Sequence, residues 1–121
     1  MNKILCGLCF ILLLSSGCNN KNSTAQTEFD ESKIYFFYHD RCPYCHDAMD
    51  FLNTNYPTLP VTMVNVYNDG GLDLLKRCAD KFELGQNIGT PLLCMGKHYI
   101  MGWSETSPRQ FDNYVRPFLK K

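Results

Sequence analysis

One stretch constrains this chain more than any other: across residues 33–52 an extended run passes straight into a helical one, with two cysteines at the junction. "KIYFFYHD" (residues 33–40) is β-branched and aromatic and has no polar face. That is the pattern of a strand buried on both sides, as in parallel sheets. "RCPYCHD" follows at once. Cys45, Ala48, Met49 and Leu52 then fall at the i, i+3, i+4, i+7 spacing of a helix's apolar stripe, leaving Asp47, Asp50 and Asn53 on the wet face. Pro43 suits the first turn, where its missing N–H costs nothing. The helix must stop before Pro57.

The rest of the chain repeats this alternation. "VTMVNVY" (residues 61–67) reads as a second buried strand, followed by a turn over Asn68, Asp69, Gly70 and Gly71. Leu72, Leu75, Ala79 and Phe82 mark a second amphipathic helix, closed by Gly85 as its C-cap residue. "TPLLCM" (residues 90–95) is a third strand, and Gly96 and Lys97 turn it tightly into "HYIM" (residues 98–101), a hairpin. Ser107 is placed to cap a last helix, with Pro108 at its first position and Phe111, Tyr114, Val115 and Phe118 on its apolar side. Pro117 limits its far end. The order is β-α-β-α-β-β-α, an α/β domain with a four-stranded sheet flanked by helices. Strands joined through a helix are expected parallel, with right-handed crossovers, and the last pair antiparallel. At 121 residues the chain has room for one small domain.

The first residues are of another kind. Met1, Asn2 and Lys3 give a short basic start, and residues 4–14 ("ILCGLCFILLL") are apolar. This run is shorter than the roughly 20 residues that span a bilayer, and it suits the core of a signal peptide. "LSSGC" (residues 14–18) resembles the lipobox of bacterial lipoproteins, with Ser15 where Leu is usual. The resemblance implies a signal peptide over residues 1–17 and a lipid on Cys18, which becomes the new N-terminus. It also implies a place in the bacterial cell envelope, facing the periplasm or the exterior. The alternative is a plain secretory signal, leaving Cys18 an ordinary thiol. "NNKNSTAQTE" (residues 19–28) is polar, free of large apolar residues, and reads as a tether. Residues 18–31 thus form anchor and tether, and residues 32–121 the domain. Lys+Arg and Asp+Glu balance at 12 each, so no long-range field draws in nucleic acid.

Of seven cysteines, Cys6 and Cys9 leave with the signal and Cys18 takes lipid. Cys42, Cys45, Cys78 and Cys94 remain, in a compartment that permits disulfides. The motif Cys42-Pro43-Tyr44-Cys45-His46 has two readings that exclude each other: c-type haem attachment and thiol–disulfide exchange. Haem needs a mostly helical chain and a second axial ligand; Met95, Met101 and His98 are spare, but all sit on the expected hairpin. Exchange needs the arrangement present here. The first cysteine then lies at a helix N-terminus, where free N–H groups and the dipole favour a thiolate. The second, one turn further in, can attack a mixed disulfide formed at the first. A metal site is not expected, because there is no second C-x-x-C and the remaining Cys and His lack ligand spacing. Exchange is the favoured reading. A non-catalytic binding module that keeps the cysteines only as a staple is a further alternative beside haem.

The element order, "CPYC" after the first strand and "GTP" (residues 89–91) before the third together resemble the thioredoxin superfamily, over residues 32–121. "CPYC" is typical of the dithiol glutaredoxins, whose minimal four-stranded layout also agrees. "YCH" together with export is similar to envelope disulfide oxidoreductases and isomerases. The resemblance implies a redox-active Cys42–Cys45 disulfide, with Cys42 exposed as the attacking thiol and Cys45 the resolving one. It implies that Pro91 is cis and holds Thr90 where its backbone can pair with substrate, with Tyr44 lining the site. Arg41 and His46 stand where they can tune the pKa of Cys42, and His39 stands nearby. The expected partners are cysteine-containing envelope proteins and an upstream redox partner, and the expected state is a monomer.

Departures from the family pattern are specific. His39 stands where glutaredoxins carry Lys, and "MGWSET" (residues 101–106) replaces their Gly-Gly and acidic residues, with only Gly102 and Glu105 approximating them. Glutathione is therefore the one cofactor the resemblance brings in, and the residues give it little to bind; no other cofactor is expected. Phe36 occupies the place of the Asp that thioredoxins bury. Trp103 reads as core. Cys78 and Cys94 read as small buried hydrophobes, with a second disulfide or an accessory redox pair as the alternative.

Overall fold

In the computed structural model, residues 29–119 are described; the expected signal peptide, the expected lipidation site Cys18, the expected tether up to residue 28, and Lys120–Lys121 lie outside the described residues. β1 (Ile34–Tyr38) is the strand on which the rest is built. The sheet order is β2-β1-β3-β4, with β2 (Thr62–Asn65), β3 (Leu92–Met95) and β4 (His98–Met101). Successive side chains of a strand point to opposite faces, and β1 is apolar at every position, so both faces need cover. Ile34 and Phe36, with Leu93, Met95 and Ile100, pack against Cys45, Ala48 and Leu52 of α1 (Pro43–Asn55) and Phe111 of α3 (Ser107–Tyr114). Tyr35 and Phe37, with Leu92 and Cys94, pack against Leu75 and Cys78 of α2 (Gly71–Lys81). The result is three layers. Phe36 and Phe37 are both 0% exposed, and burying one such side chain is worth about 1.5–3 kcal/mol.

The sheet corrects the expected strand directions. β2 runs parallel to β1, pairing Phe36 with Met63, as a βαβ crossover requires. β3 does not follow that rule: it lies antiparallel to β1, pairing Phe36 with Leu93. The crossover rule governs parallel strands of one sheet, and the link between Lys81 and Leu92 is long enough to bring the chain back on the far side of β1 in reverse. The β3–β4 hairpin turns over Gly96 and Lys97 as expected, with Gly96 at φ +65°.

β2 is not buried on both sides either. Thr62 and Met63 are exposed and Val64 and Asn65 half-buried, because β2 is an edge strand with one neighbour. α2 ends earlier than Gly85 suggested. Glu83 takes the left-handed conformation (φ +56°), its N–H donating to Asp80 O and the Leu84 N–H to Ala79 O. These are the two bonds of a Schellman cap, made here without glycine at the left-handed position. At the last helix, Thr106 rather than Ser107 is the N-cap residue. Ser107 is buried and its Oγ accepts from Ser104 N, closing the preceding turn. The chain after α3 forms a separate short α4 (Arg116–Leu119), with Pro117 inside it.

Two contacts lock helices in place. A Cβ on Gly71 would lie 2.2 Å from the Asn65 carbonyl oxygen, so only glycine lets α2 start this close to β2. Tyr56, which closes α1, donates its hydroxyl to the Asp112 carboxylate on α3. Desolvation first, and then that bond, push the Tyr56 hydroxyl up to about 12.

Candidate active site

The end of β1 and the start of α1 build the site together. His39 organises the junction: its carbonyl accepts from Cys42 N at 3.3 Å and its Nδ1 from Arg41 N at 3.2 Å. In the neutral ring that places the proton on Nε2. The ring also packs against Tyr67, at 5.2 Å between centroids, beyond the end of β2. His39 is therefore a builder of the turn, a role the sequence reading did not assign.

Cys42 is the N-cap residue of α1, in extended conformation, with Pro43 in the first turn. Its Sγ accepts from Cys45 N at 3.1 Å and from the Thr90 hydroxyl at 3.4 Å. Cys42 and Cys45 are joined in a disulfide, Cα to Cα 5.1 Å. Two donors aimed at one sulfur, at a helix N-terminus, favour its negative form when the bond is opened. Cys45 is 0% exposed, on the inner stripe with Ala48 and Leu52.

Cys42 itself corrects an expectation. It is 4% exposed rather than open to solvent, because the cap position tucks it into the layer between sheet and α1, beside Thr90. Thr90–Pro91 is a cis peptide. Pro91 is buried, so its ring supports Thr90 and does not face outward; its carbonyl accepts from Gly102 N at 2.8 Å. The Thr90 hydroxyl, not only its backbone, belongs to the site. Tyr44 is 58% exposed beside the disulfide. Arg41 and His46 are exposed; the His46 Nε2 lies 3.3 Å from the Asp40 carbonyl oxygen, and among the described residues neither side chain bonds a sulfur.

Trp103 is half-buried against Phe51, 5.4 Å between centroids, on the edge of the core. Cys78 and Cys94, read as separate buried hydrophobes, are instead joined in a second disulfide. The signal available in the sequence was their common placement on buried faces of neighbouring elements. A cavity of about 570 Å³ lies at the other end of the sheet, lined by Leu59, Met95, His98, Tyr114 and Phe118. It lies away from Cys42 and Cys45, since Met95 pairs with Ile34 at the start of β1 and those cysteines follow its end, and chemistry rather than volume selects the site. No group of three or more metal-binding side chains occurs among the described residues.

The mixed sheet does not suit the mostly helical setting that haem attachment needs. No protein-family model matches this chain, and no curated protein is significantly similar to it in sequence. Its structure is similar to the crystal structure of a glutaredoxin from Archaeoglobus fulgidus, with a TM-score of 0.54 at 11% identity, covering 83% of this chain and 99% of that one. At that identity the likeness speaks for architecture alone: the chain has the thioredoxin-like fold in its glutaredoxin form.

Proposed function

We propose that this domain is a thiol–disulfide oxidoreductase that exchanges disulfides with cysteine-containing proteins of a bacterial envelope. The observation that carries the reading is the pair of donors on Cys42 Sγ, the Cys45 N–H and the Thr90 hydroxyl. A thiolate is the nucleophile in exchange, and such donors lower the pH at which it forms.

In the reduced domain, Cys42 thiolate attacks one sulfur of a substrate disulfide, and the other sulfur leaves as thiolate. Cys45, deprotonated, then attacks Cys42 Sγ and expels the substrate's remaining thiolate. Two electrons have passed to the substrate, and the Cys42–Cys45 disulfide is formed. An upstream dithiol partner restores the reduced state by the same steps; oxidation of a substrate runs them in reverse. Thr90, held by Pro91, and exposed Tyr44 form the seat for an extended substrate segment. That seat brings the substrate sulfur to a nearly buried Cys42. Arg41 and His46 add positive charge near the helix start when His46 is protonated.

The exchange needs no bound cofactor. Of the two residues that approximate a glutathione site, Gly102 already gives its N–H to Pro91. The domain acts as a monomer, held at the membrane by lipid on Cys18 through the tether of residues 19–28.

Trapping tests the chemistry. Cys45→Ala is expected to accumulate mixed disulfides with envelope proteins, released by added dithiol, whereas Cys42→Ala accumulates none. Equal trapping by both variants would overturn the division between attacking and resolving thiol. Fractionation tests the anchor separately: Cys18→Ala is expected to move the protein from membranes to the soluble fraction with exchange unchanged. A variant that stays with the membranes removes the lipid from the account.

A further inference from the structure

The second disulfide lies where no partner protein can touch it. Cys78 on α2 and Cys94 on β3 are both 0% exposed, Cα to Cα 6.5 Å, packed among Tyr35, Phe37, Val66, Leu75 and Leu92. Cys42 and Cys45 belong to the other apolar layer, with the sheet between the two pairs. Thiol–disulfide exchange needs a thiolate to reach the sulfur it attacks. Neither a partner nor the domain's own Cys42 has a path to Cys78 or Cys94 while α2 is seated.

We infer that Cys78–Cys94 is a structural cross-link, formed during folding before α2 closes on the sheet, and that it ties maturation of this domain to an oxidising compartment. It forms by exchange with a disulfide-bearing oxidant acting on the incompletely folded chain. Each of the two thiols gives up a proton, two electrons pass to the oxidant's disulfide, and the oxidant leaves as a dithiol. Once buried, the bond is silent in the reaction cycle of Cys42. It holds α2, the helix that covers the second face of the sheet. The two disulfides thus divide by access: one turns over and one persists. This inference stands on the burial and position of Cys78 and Cys94 and does not depend on the activity proposed for Cys42.

Differential alkylation of the full-length protein, purified without reductant, is the test. Denatured directly in alkylating reagent, it is expected to show no free thiol at Cys78 or Cys94. Titrated with dithiothreitol under native conditions, it is expected to expose Cys42 and Cys45 first, with Cys78 and Cys94 opening only when denaturant is added. Free thiols at Cys78 and Cys94 at the start, or opening of both pairs in step, would overturn the inference. A Cys78→Ala, Cys94→Ala double variant is expected to unfold at lower denaturant than the oxidised protein while keeping exchange at Cys42. An unchanged midpoint also counts against the cross-link. Should that variant fail to fold, the alkylation pattern still decides.

Discussion

Cys42→Ser is expected to drop dithiol-dependent exchange to the uncatalysed rate while leaving the fold in place. Serine presents a hydroxyl that stays protonated where a thiol ionises, so no nucleophile of comparable strength remains. The loss is total because the Cys45 N–H and the Thr90 hydroxyl converge on the atom at position 42 and nowhere else in the site. Hydrogen bonds to a charged acceptor are stronger than to a neutral one, so both donors favour the thiolate over the thiol. The same substitution keeps helix α1 capped, since serine is a favoured N-cap residue and Cys42 holds that position. Activity and stability should therefore separate, with turnover gone and the unfolding midpoint close to that of the wild-type protein with its Cys42–Cys45 bond reduced. A Cys42→Ser protein that retains exchange would place the attacking thiol elsewhere.

Phe111→Ala carries the largest expected cost in stability. α3 is 8 residues long, too short to persist on its own, since isolated helices under about 12–15 residues are marginal in water. Its main apolar anchor is Phe111, 0% exposed, with its ring 5.8 Å from Phe51 edge-on and 5.0 Å from Tyr56. Emptying such a site costs about 3–5 kcal/mol, against a total of about 5–15 kcal/mol for an ordinary domain. Equilibrium denaturation is expected to show that loss, with Phe111→Leu losing much less. A change under about 1 kcal/mol would mean that α3 is held by something other than this ring.

Much of this arrangement is legible in the residues, and what is not has physical reasons. The doubly apolar run of β1 announces a strand with layers on both sides. The Cys45, Ala48 and Leu52 stripe and Pro43 place α1 correctly. Gly96 and Lys97 leave two residues between β3 and β4, which only a tight hairpin satisfies. The direction of β3 is not legible from connection order, because β2 and β3 are not neighbours in the sheet. The apolar residues of β2 match those of a buried strand, but its place at the sheet edge leaves Thr62 and Met63 exposed.

Glu83 closing α2 escaped notice because glycine is the usual occupant of a left-handed cap, and Gly85 stands two positions on. At the site, the motif gives the two cysteines but not the depth of Cys42, which depends on how Thr90 is brought over from β3. The Cys78–Cys94 bond joins residues 16 apart on different elements. Two buried apolar faces suggest that the pair could meet, but only the seating of α2 on the sheet brings the sulfurs together.

If Cys42 and Cys45 form a working redox couple, their disulfide must be reducible by partner dithiols, whereas a fixed staple resists them. The most direct test is the reduction potential of that couple, read by equilibrating the protein in glutathione and dithiothreitol buffers and counting alkylated Cys42 and Cys45. A working couple is expected between about −270 and −120 mV, the span in which thiol–disulfide catalysts exchange with their partners. A value below about −300 mV, in the range of inert structural disulfides, would contradict it.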